Sequence, residues 1–494
     1  MSEERIKALK GTRDLLEENY ASMRALRDGL GDLLNSHGYR AIDTPALESA
    51  EIYLVKSGAE VTSRMYTFLD PGGGKVALRP EFTAGVVRAY LQVGADRTLP
   101  LRWQYCGPVF RHGSTEKASF RQMTQLGAEL IGSSSPRADA EIISLANRGL
   151  QQLSLSSHKL VIGHIGAILR LLQSLDLSDR ALSFLVSNIG EAQGPSQALE
   201  RIKERGRSLG LPVEGDEDQL LSLVTADLSE DEARGVLLGL MRGFDEEAAG
   251  SRSRDEIVAR FLRKMNQRDD PAQLQKGILL ISRLNGIRGE PGESLEALQG
   301  LIGDLALPPP AEEAIELLKT TVAALADTGL SDDDYLLDLA LARDLAYYTG
   351  VVFEIGHPSL GEGSILCGGG RYDGLVKALG GGEDTPALGF AYTLERVLLA
   401  VEAEGAGPPG ENSSSVDVLV VAAEGSAYRS ALMEADRLRG LGRRVEMEVR
   451  EVPIEESLSY AAERDIPEVA VVNTSGEVVT QPSVRTSDVA AGSS

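Results

Sequence analysis

The stretch that decides the fold is Gly107-Pro108-Val109-Phe110-Arg111-His112, a short apolar run that ends in two basic side chains. Aromatic and β-branched residues surround it, and such residues favour strands. We therefore predict short strands at Arg102–Tyr105, Pro108–Arg111 and Thr124–Ile131. Their composition is typical of an antiparallel sheet that leaves one face available for a site.

Toward the N-terminus, the sequence predicts a helix and a hairpin. Apolar side chains recur at three- and four-residue steps over residues 14–38, which indicates an amphipathic helix that ends at Gly38. Met65–Leu69 and Val76–Leu78 flank a turn rich in proline and glycine, which predicts a β-hairpin. The turn contains Gly72-Gly73-Gly74-Lys75, but it lacks the spacing and the following Ser or Thr of a phosphate-binding loop.

Toward the C-terminus, residues 160 to 330 are rich in Glu, Asp, Leu and Ala and predict a helical insertion. Pro308-Pro309-Pro310 precedes two glutamates, which is typical of a helix start. Strand patterns resume at Tyr335–Leu339 and Val351–Ile355. A predicted helix within Gly389–Glu402 then ends this part of the chain.

The last part of the chain predicts a linker and a small α/β domain. Gly405–Ser415 consists mainly of Gly, Pro and Ser and predicts a flexible linker. Alternating strand and helix patterns follow it, which indicates parallel strands. These elements are Val416–Ala422, Tyr428–Leu441, Val445–Val449, Glu455–Arg464 and Val469–Val472. The predicted domains are 1–160 and 331–404 (two parts of one core), 161–330 (helical insertion), 405–415 (linker) and 416–494 (C-terminal domain).

Composition narrows the possible partners. The formal net charge is −24, which disfavours nucleic-acid binding unless basic residues cluster. The longest apolar runs are too short to span a bilayer, and Met1–Arg5 is charged and opens no secretory signal. Only Cys106 and Cys367 occur, and five histidines are scattered without metal-ligand spacing. We therefore expect a cytoplasmic protein with no membrane contact and no metal site.

Several separated segments of the chain form a recognisable series. They are Lys10–Asp14, Met65–Phe68, Leu78–Thr83, Gly107–His112, Tyr347-Tyr348, Gly368–Gly374, Gly389–Ala391 and Leu394–Arg396. Together they resemble histidyl-tRNA synthetase, in the order of that family. The resemblance implies an α+β class II aminoacyl-tRNA synthetase core, an antiparallel sheet flanked by helices, with the helical insertion and a clipped anticodon-binding domain.

A histidine site needs acceptors for the α-amino group, a cation for the carboxylate and aromatic walls around the imidazole. Gln125 and Glu129 are four residues apart in a predicted strand, so they lie on one face and favour a shared pocket. The resemblance implies histidine-binding roles for eight residues of this chain. They are Glu81, Thr83, Arg111, Gln125, Glu129, Arg343, Tyr347 and Tyr348.

The positions that match the family's ATP site are largely altered. Gly113 stands where the family has an adenine-contacting Glu, and Ser119 stands in the place of a loop arginine. Met123 replaces the aromatic residue on which adenine stacks, and Thr393 replaces a small glycine. Arg111 and Arg396, which hold ATP phosphates in the family, are kept, and we interpret them as structural or histidine-binding residues here.

A kept histidine pocket beside a degenerate ATP pocket resembles the regulatory subunit of ATP phosphoribosyltransferase, the first enzyme of histidine biosynthesis. That resemblance implies L-histidine as a feedback signal, a short-form catalytic subunit as partner and no cofactor. It also implies a homodimeric unit within a hetero-oligomer, formed around Tyr39–Pro45. We expect no catalysis by this chain alone.

Two other functions remain open. Regulatory subunits usually lack a C-terminal domain, so the chain is alternatively a divergent histidine–tRNA ligase, which would use ATP, Mg²⁺ and tRNA. A sensor of uncharged tRNA is disfavoured because the segment 416–494 has fourteen Asp and Glu, eight Arg and no Lys. Binding of tRNA by that segment is therefore doubtful.

Overall fold

In the computed structural model, the chain divides into two compact units: residues 1–14 with 26–406, and residues 15–25 with 407–494. The structure describes residues 6–55, 62–93, 97–112, 120–189, 196–209, 211, 269–341, 347–361, 364–405 and 416–483. None of the helices in these ranges combines the length and apolar composition needed to cross a membrane.

Nine of the described strands form the main sheet, in the order β1-β5-β6-β12-β11-β10-β7-β9-β8. In this order, all neighbouring strands from β5 through β6, β12, β11 and β10 to β7 pair antiparallel, as predicted. Strand β1 pairs with β5 in parallel, and β9 pairs with β7 in parallel. The strands are β1 (Arg40–Ala41), β5 (Leu101–Phe110), β6 (Gln122–Ile131), β7 (Lys159–His164), β8 (Arg288–Gly289), β9 (Tyr335–Asp338), β10 (Val351–Gly356), β11 (Ile365–Arg371) and β12 (Ala387–Thr393).

Strand β5 is continuous through Pro108, so the prediction of two separate strands here was wrong. Proline cannot donate to a ladder, and two buried side chains hydrogen-bond the backbone around it. The Pro108 carbonyl accepts from Nε of Arg79 at 2.8 Å. The N–H of Thr124, which lies opposite Pro108, donates to the Glu395 carboxylate at 2.9 Å.

Helices cover this sheet, and one of them is the predicted amphipathic helix. It spans Glu17–Ser36 and buries its apolar stripe at Met23, Leu26, Leu30 and Leu34. The helix that was predicted within Gly389–Glu402 is present and begins at Leu394. The first five residues of that range belong to β12. The helices are Glu17–Ser36, Glu51–Leu54, Thr83–Val93, Pro136–Gln152, Leu375–Ala378 and Leu394–Ala403.

The predicted hairpin is confirmed as part of a small three-stranded sheet. Strands β3 (Thr67–Leu69) and β4 (Lys75–Leu78) pair antiparallel, and β2 (Leu47–Ser49) joins the other edge of β4. The turn is held by Asp70, whose carboxylate accepts from the N–H of Gly74 at 2.7 Å. This contact confirms a turn rather than a phosphate-binding loop.

The described residues between β7 and β9 are mainly helical, as predicted, apart from strand β8, and they belong to the first compact unit. The helices surround an apolar cluster that includes Leu171, Leu185, Ile278 and Leu318. A 3₁₀ turn, Pro309–Ala311, leads into the predicted helix start. Residues 212–268 of the predicted insertion lie outside the described residues. The helices are Ile165–Gln173, Asp179–Ser187, Ser196–Ser208, Pro271–Leu284, Pro291–Asp304 and Glu312–Ala326.

The C-terminal segment forms a four-stranded sheet in the order β14-β13-β15-β16, with helices Tyr428–Gly440 and Ile454–Glu463. Its first three strands are parallel, as predicted: β13 (Val418–Ala422), β14 (Val445–Met447) and β15 (Glu468–Val472). Strand β16 (Val478–Pro482) was not predicted. It returns antiparallel to β15 through a turn in which Gly476 adopts φ +83°, a conformation that favours glycine.

Candidate histidine-binding site

A cavity of the first unit opens on one face of the main sheet, beside β5, β6, β11 and β12. The structure brings six of the eight predicted histidine-binding residues to its wall, and a seventh, Glu129, bonds directly to one of them. The eighth, Arg343, lies outside the described residues. The six at the wall are Glu81, Thr83, Arg111, Gln125, Tyr347 and Tyr348.

Glu129 is the most buried acid of the site, with 1% of its surface exposed. Its carboxylate accepts from the hydroxyls of Thr83 at 2.8 Å, Tyr105 at 3.0 Å and Tyr372. The pKa of Glu129 is raised to about 7, because burial outweighs the three hydroxyls, which lower it, and the nearby Glu81 adds a smaller increase. A ligand cation would favour the ionised form, because an opposite charge stabilises a carboxylate.

The lack of a side chain at Gly389 leaves room for the Glu129 carboxylate. Gly389 lies opposite Glu129 in the β6–β12 ladder, and a Cβ at this position would overlap the Glu129 carboxyl group. Glycine in a strand often marks such a close approach. The space that Gly389 leaves therefore belongs to the site, although it carries no side chain.

Glu81 has a structural role in addition to its place in the cavity. Its carboxylate accepts from the backbone N–H groups of Thr83 and Ala84, the latter at 3.1 Å, and so caps the helix Thr83–Val93. Burial raises the pKa of Glu81, and these bonds and Arg111 oppose the shift. The cap fixes the orientation of Glu81 at the cavity wall.

Gln125 presents an unused acceptor. Its side chain is 9% exposed, and its Oε1 has no hydrogen-bond partner within the described residues. A buried polar atom without a partner costs about 1–3 kcal/mol. Gln125 lines the cavity, and a ligand N–H that reached this oxygen would remove the cost, so Gln125 is a candidate to accept from the ligand.

Three tyrosines form the aromatic side of the cavity. The ring centroids of Tyr347 and Tyr348 lie 5.0 Å apart, and those of Tyr347 and Tyr372 lie 5.7 Å apart in an edge-to-face arrangement. Burial raises the pKa of Tyr347 and of Tyr372 well above the usual range, so both hydroxyls stay protonated. Flat rings with polar tips suit an imidazole.

The predicted ATP positions fall into three groups. Met123 packs in an apolar core cluster with Val109 and lies outside the cavity lining. Thr393 and Arg396 line the cavity. Gly113 and Ser119 lie outside the described residues.

The two retained arginines both contact backbone carbonyls. Arg111 donates from Nε to Pro80 O at 2.8 Å, and Arg396 donates from Nη1 to Ile365 O at 3.0 Å. Both arginines also line the cavity. Each therefore has a structural role here, whatever it contributes to ligand binding.

Sequence analysis missed Tyr105, Tyr372 and Gly389 as site residues. Tyr105 lies opposite Gly127, and a Cβ at Gly127 would meet the Tyr105 ring and hydroxyl. A strand glycine facing an aromatic residue was the available signal. Tyr372 and Gly389 stood within the family segments, but nothing in the sequence placed them beside Glu129.

A mixed, mainly antiparallel sheet flanked by helices, with this cavity on one face, defines a class II aminoacyl-tRNA synthetase fold. The family model for histidyl-tRNA synthetase matches residues 11–203 and 246–397. A histidine–tRNA ligase from Methanocaldococcus jannaschii is 30% identical over 463 residues, which cover 94% of this chain and 91% of that protein. The chain belongs to the histidyl-tRNA synthetase family.

Solved structures support the same fold. One is described as an ATP phosphoribosyltransferase regulatory subunit/histidyl-tRNA synthetase from Bacillus halodurans, with a TM-score of 0.64 and 22% identity, covering 94% of this chain and 98% of that one. Histidyl-tRNA synthetase from Nostoc gives a TM-score of 0.61 and 20% identity, covering 99% and 98%. At these identities the likeness concerns the fold alone.

Proposed function

We propose that the chain binds L-histidine in this cavity and does not activate it with ATP. The observation that carries the proposal is the contrast within one site. Glu81, the amide of Gln125 and the tyrosines suited to histidine line the cavity, with Glu129 bonded to Thr83 of the wall, whereas Met123 is packed in the apolar core. Such a protein would sense histidine rather than attach it to tRNA.

The altered ATP positions have a large combined effect. Losing an aromatic stack under a base costs about 1–3 kcal/mol. Losing a hydrogen bond to a charged group costs about 1.5–3 kcal/mol, and losing the phosphate-facing arginine that Ser119 replaces adds a comparable amount. Allowing for non-additivity, the total is roughly 3–7 kcal/mol, or about a hundred- to a hundred-thousand-fold in rate or affinity. Productive adenylation is not expected to withstand that loss.

The role that fits a histidine sensor of this fold is the regulatory subunit of ATP phosphoribosyltransferase. In that role the chain would work with a short-form catalytic subunit, as a homodimeric unit of a hetero-oligomer, in the cytoplasm. Histidine bound in the cavity would act as the feedback signal, through different affinities in two states of the complex. The chain itself would need no cofactor and no metal.

Histidine-dependent exchange between ATP and pyrophosphate tests this proposal. We expect no exchange above background from the purified full-length chain at millimolar histidine, because the adenine and phosphate contacts are incomplete. The M. jannaschii relative serves as the positive control under the same conditions. Robust exchange by this chain would overturn the proposal.

A divergent histidine–tRNA ligase is the second candidate, and the comparison with ligases favours it. The 30% identity to the M. jannaschii protein extends over 94% of this chain, which includes most of the C-terminal segment. Retention of Arg111 and Arg396 at the cavity agrees with this candidate as well. Both ATP and Mg²⁺ would then be required, and the exchange assay separates the two candidates.

Charge in the C-terminal segment disfavours tRNA as a partner. Five of its eight arginines form ion pairs with acids of the same segment, so these charges are balanced. Binding to a phosphate backbone depends on cations that are free to neutralise it. The five are Arg437, Arg439, Arg443, Arg444 and Arg450.

Tyr348→Ala tests the sensing role directly. In a complex reconstituted with the catalytic subunit, we expect the variant to lose inhibition by histidine, because Tyr348 forms part of the aromatic wall. The measurement is the ratio of rates with and without histidine. Tyr428→Ala, at a 42% exposed site of the C-terminal segment, is the matched control and should keep the inhibition. Unchanged inhibition in Tyr348→Ala would refute the assignment.

A further inference from the structure

A second cavity of about 410 Å³ lies in the same compact unit, among the helices Ile165–Gln173 and Glu312–Ala326 and the adjoining ends of β10 and β11. Small-molecule sites typically measure about 300–1,000 Å³. No part of the histidine-binding proposal uses this cavity, and none of its lining residues belongs to the predicted site.

The two cavities share a wall. Tyr348 lines the histidine cavity, and the next residue, Thr349, lines the second cavity. Likewise, Tyr372 lines the histidine cavity, and the residue before it, Arg371, lines the second cavity. The two segments are tied together, because the N–H of Thr349 donates to Arg371 O at 2.8 Å and the N–H of Asp373 donates to Thr349 Oγ1 at 3.0 Å. A ligand that moves one segment therefore moves side chains of both cavities.

A buried histidine supplies a hydrogen-bond donor on the far wall of the second cavity. His164 is 8% exposed, and its Nδ1 accepts from the N–H of Ala167 at 3.1 Å. Burial lowers the pKa of His164 to about 4, so the ring is neutral and its Nε2 carries the proton. His164 therefore presents an N–H donor. Thr320 and Thr321 also line the cavity, but their hydroxyls donate to Glu316 O at 2.7 Å and to Leu317 O at 3.0 Å, so they add no free donor.

Arg170 adds a positive charge to this wall. It forms a long, exposed ion pair with Glu313, whose carboxylate lies 3.7 Å from Nε, beyond hydrogen-bond distance. The acid that lines the cavity, Asp139, accepts from Arg371 Nε at 2.9 Å and is balanced by that arginine. Arg371 also pairs with Asp373 at 3.0 Å. Arg170 thus remains the cation best placed to bind a ligand.

We infer that the second cavity binds a small organic anion, a carboxylate or a phosphate ester, and that its occupancy changes the histidine affinity of the first cavity. The N–H of His164 and the guanidinium of Arg170 suit an acceptor-rich anion. Coupling of two sites is reciprocal, so histidine must change anion affinity by the same factor. The coupling rests on the proposed function, whereas the anion site does not.

Isothermal titration of the full-length chain tests both parts. Inorganic phosphate, ribose 5-phosphate and citrate are the probes, so the phosphate and carboxylate sources are separated. We expect at least one probe to bind, and histidine Kd to change about fivefold or more when that probe is saturating. Arg170→Ala should weaken the probe about tenfold or more. Arg283→Ala, an exposed arginine paired with Asp304 at 3.1 Å in the helical segment, should not.

The outcomes separate this inference from the proposed function. Binding of none of the probes, or equal binding to Arg170→Ala, overturns the anion site. Probe binding that leaves the histidine Kd unchanged overturns the coupling. Probe binding that depends on Arg170 in a chain that does not bind histidine overturns the proposed function and the coupling, and leaves the anion site standing.

Discussion

Gly389→Ala is expected to weaken histidine binding about 30- to 1,000-fold. The new Cβ would occupy the space of the Glu129 carboxyl group, which must then leave its hydroxyl partners. Overpacking costs about 1–3 kcal/mol, and each lost hydrogen bond to a charged group costs about 1.5–3 kcal/mol. A net loss of about 2–4 kcal/mol corresponds to this change in Kd. Isothermal titration with histidine measures it.

Gly356→Ala is the matched control for this substitution. Gly356 lies in strand β10 of the same sheet, and a Cβ there meets no atom of the described residues within 4 Å. Its histidine Kd should stay within about twofold of the wild type, because surface substitutions typically change free energies by less than 0.5 kcal/mol. Both variants are compared at a temperature where circular dichroism shows them folded. Wild-type histidine affinity in a folded Gly389→Ala protein would show that Glu129 does not contribute to histidine binding.

Local patterns were sufficient for most of the fold. The β3–β4 hairpin and the three parallel strands after residue 416 were predicted because turn residues and apolar alternation mark such elements in sequence. The continuous strand β5 was not predicted, because its proline is tolerated only through contacts from elsewhere. Arg79 is 29 residues from Pro108, and Glu395 is 271 residues from Thr124.

Contacts between residues that are far apart in sequence also limited the prediction of the site. The eight predicted residues came from a family resemblance, and two of them, Gln125 and Glu129, also followed from strand periodicity. The partners that fix Glu129 could not be found in this way. Tyr105 is 24 residues away and Tyr372 is 243 residues away, so only the folded sheet brings them together. The sequence predicted which groups could bind histidine, and the fold determines how those groups are oriented.

Gln125→Leu should change stability and affinity in opposite directions. The unpartnered Oε1 destabilises the ligand-free protein, so replacing it with an apolar group of similar size should raise the thermal midpoint. Histidine would lose an acceptor for one of its N–H groups. The expected loss is about 1.5–3 kcal/mol, or about ten- to a hundredfold in Kd, if that group is the charged ammonium.

Gln104→Leu is the control that separates this effect from a general one. Gln104 is also a buried glutamine of the main sheet, but its amide donates to Asn35 at 2.7 Å and to Tyr39 O at 2.9 Å. Its loss leaves buried acceptors without a donor, so the thermal midpoint should fall, while histidine affinity should hold because Gln104 lies outside the cavity lining. Thermal unfolding gives the midpoint of each variant, and titration gives the histidine Kd of each. A fall in midpoint for Gln125→Leu without loss of affinity would show that Oε1 does not face the ligand.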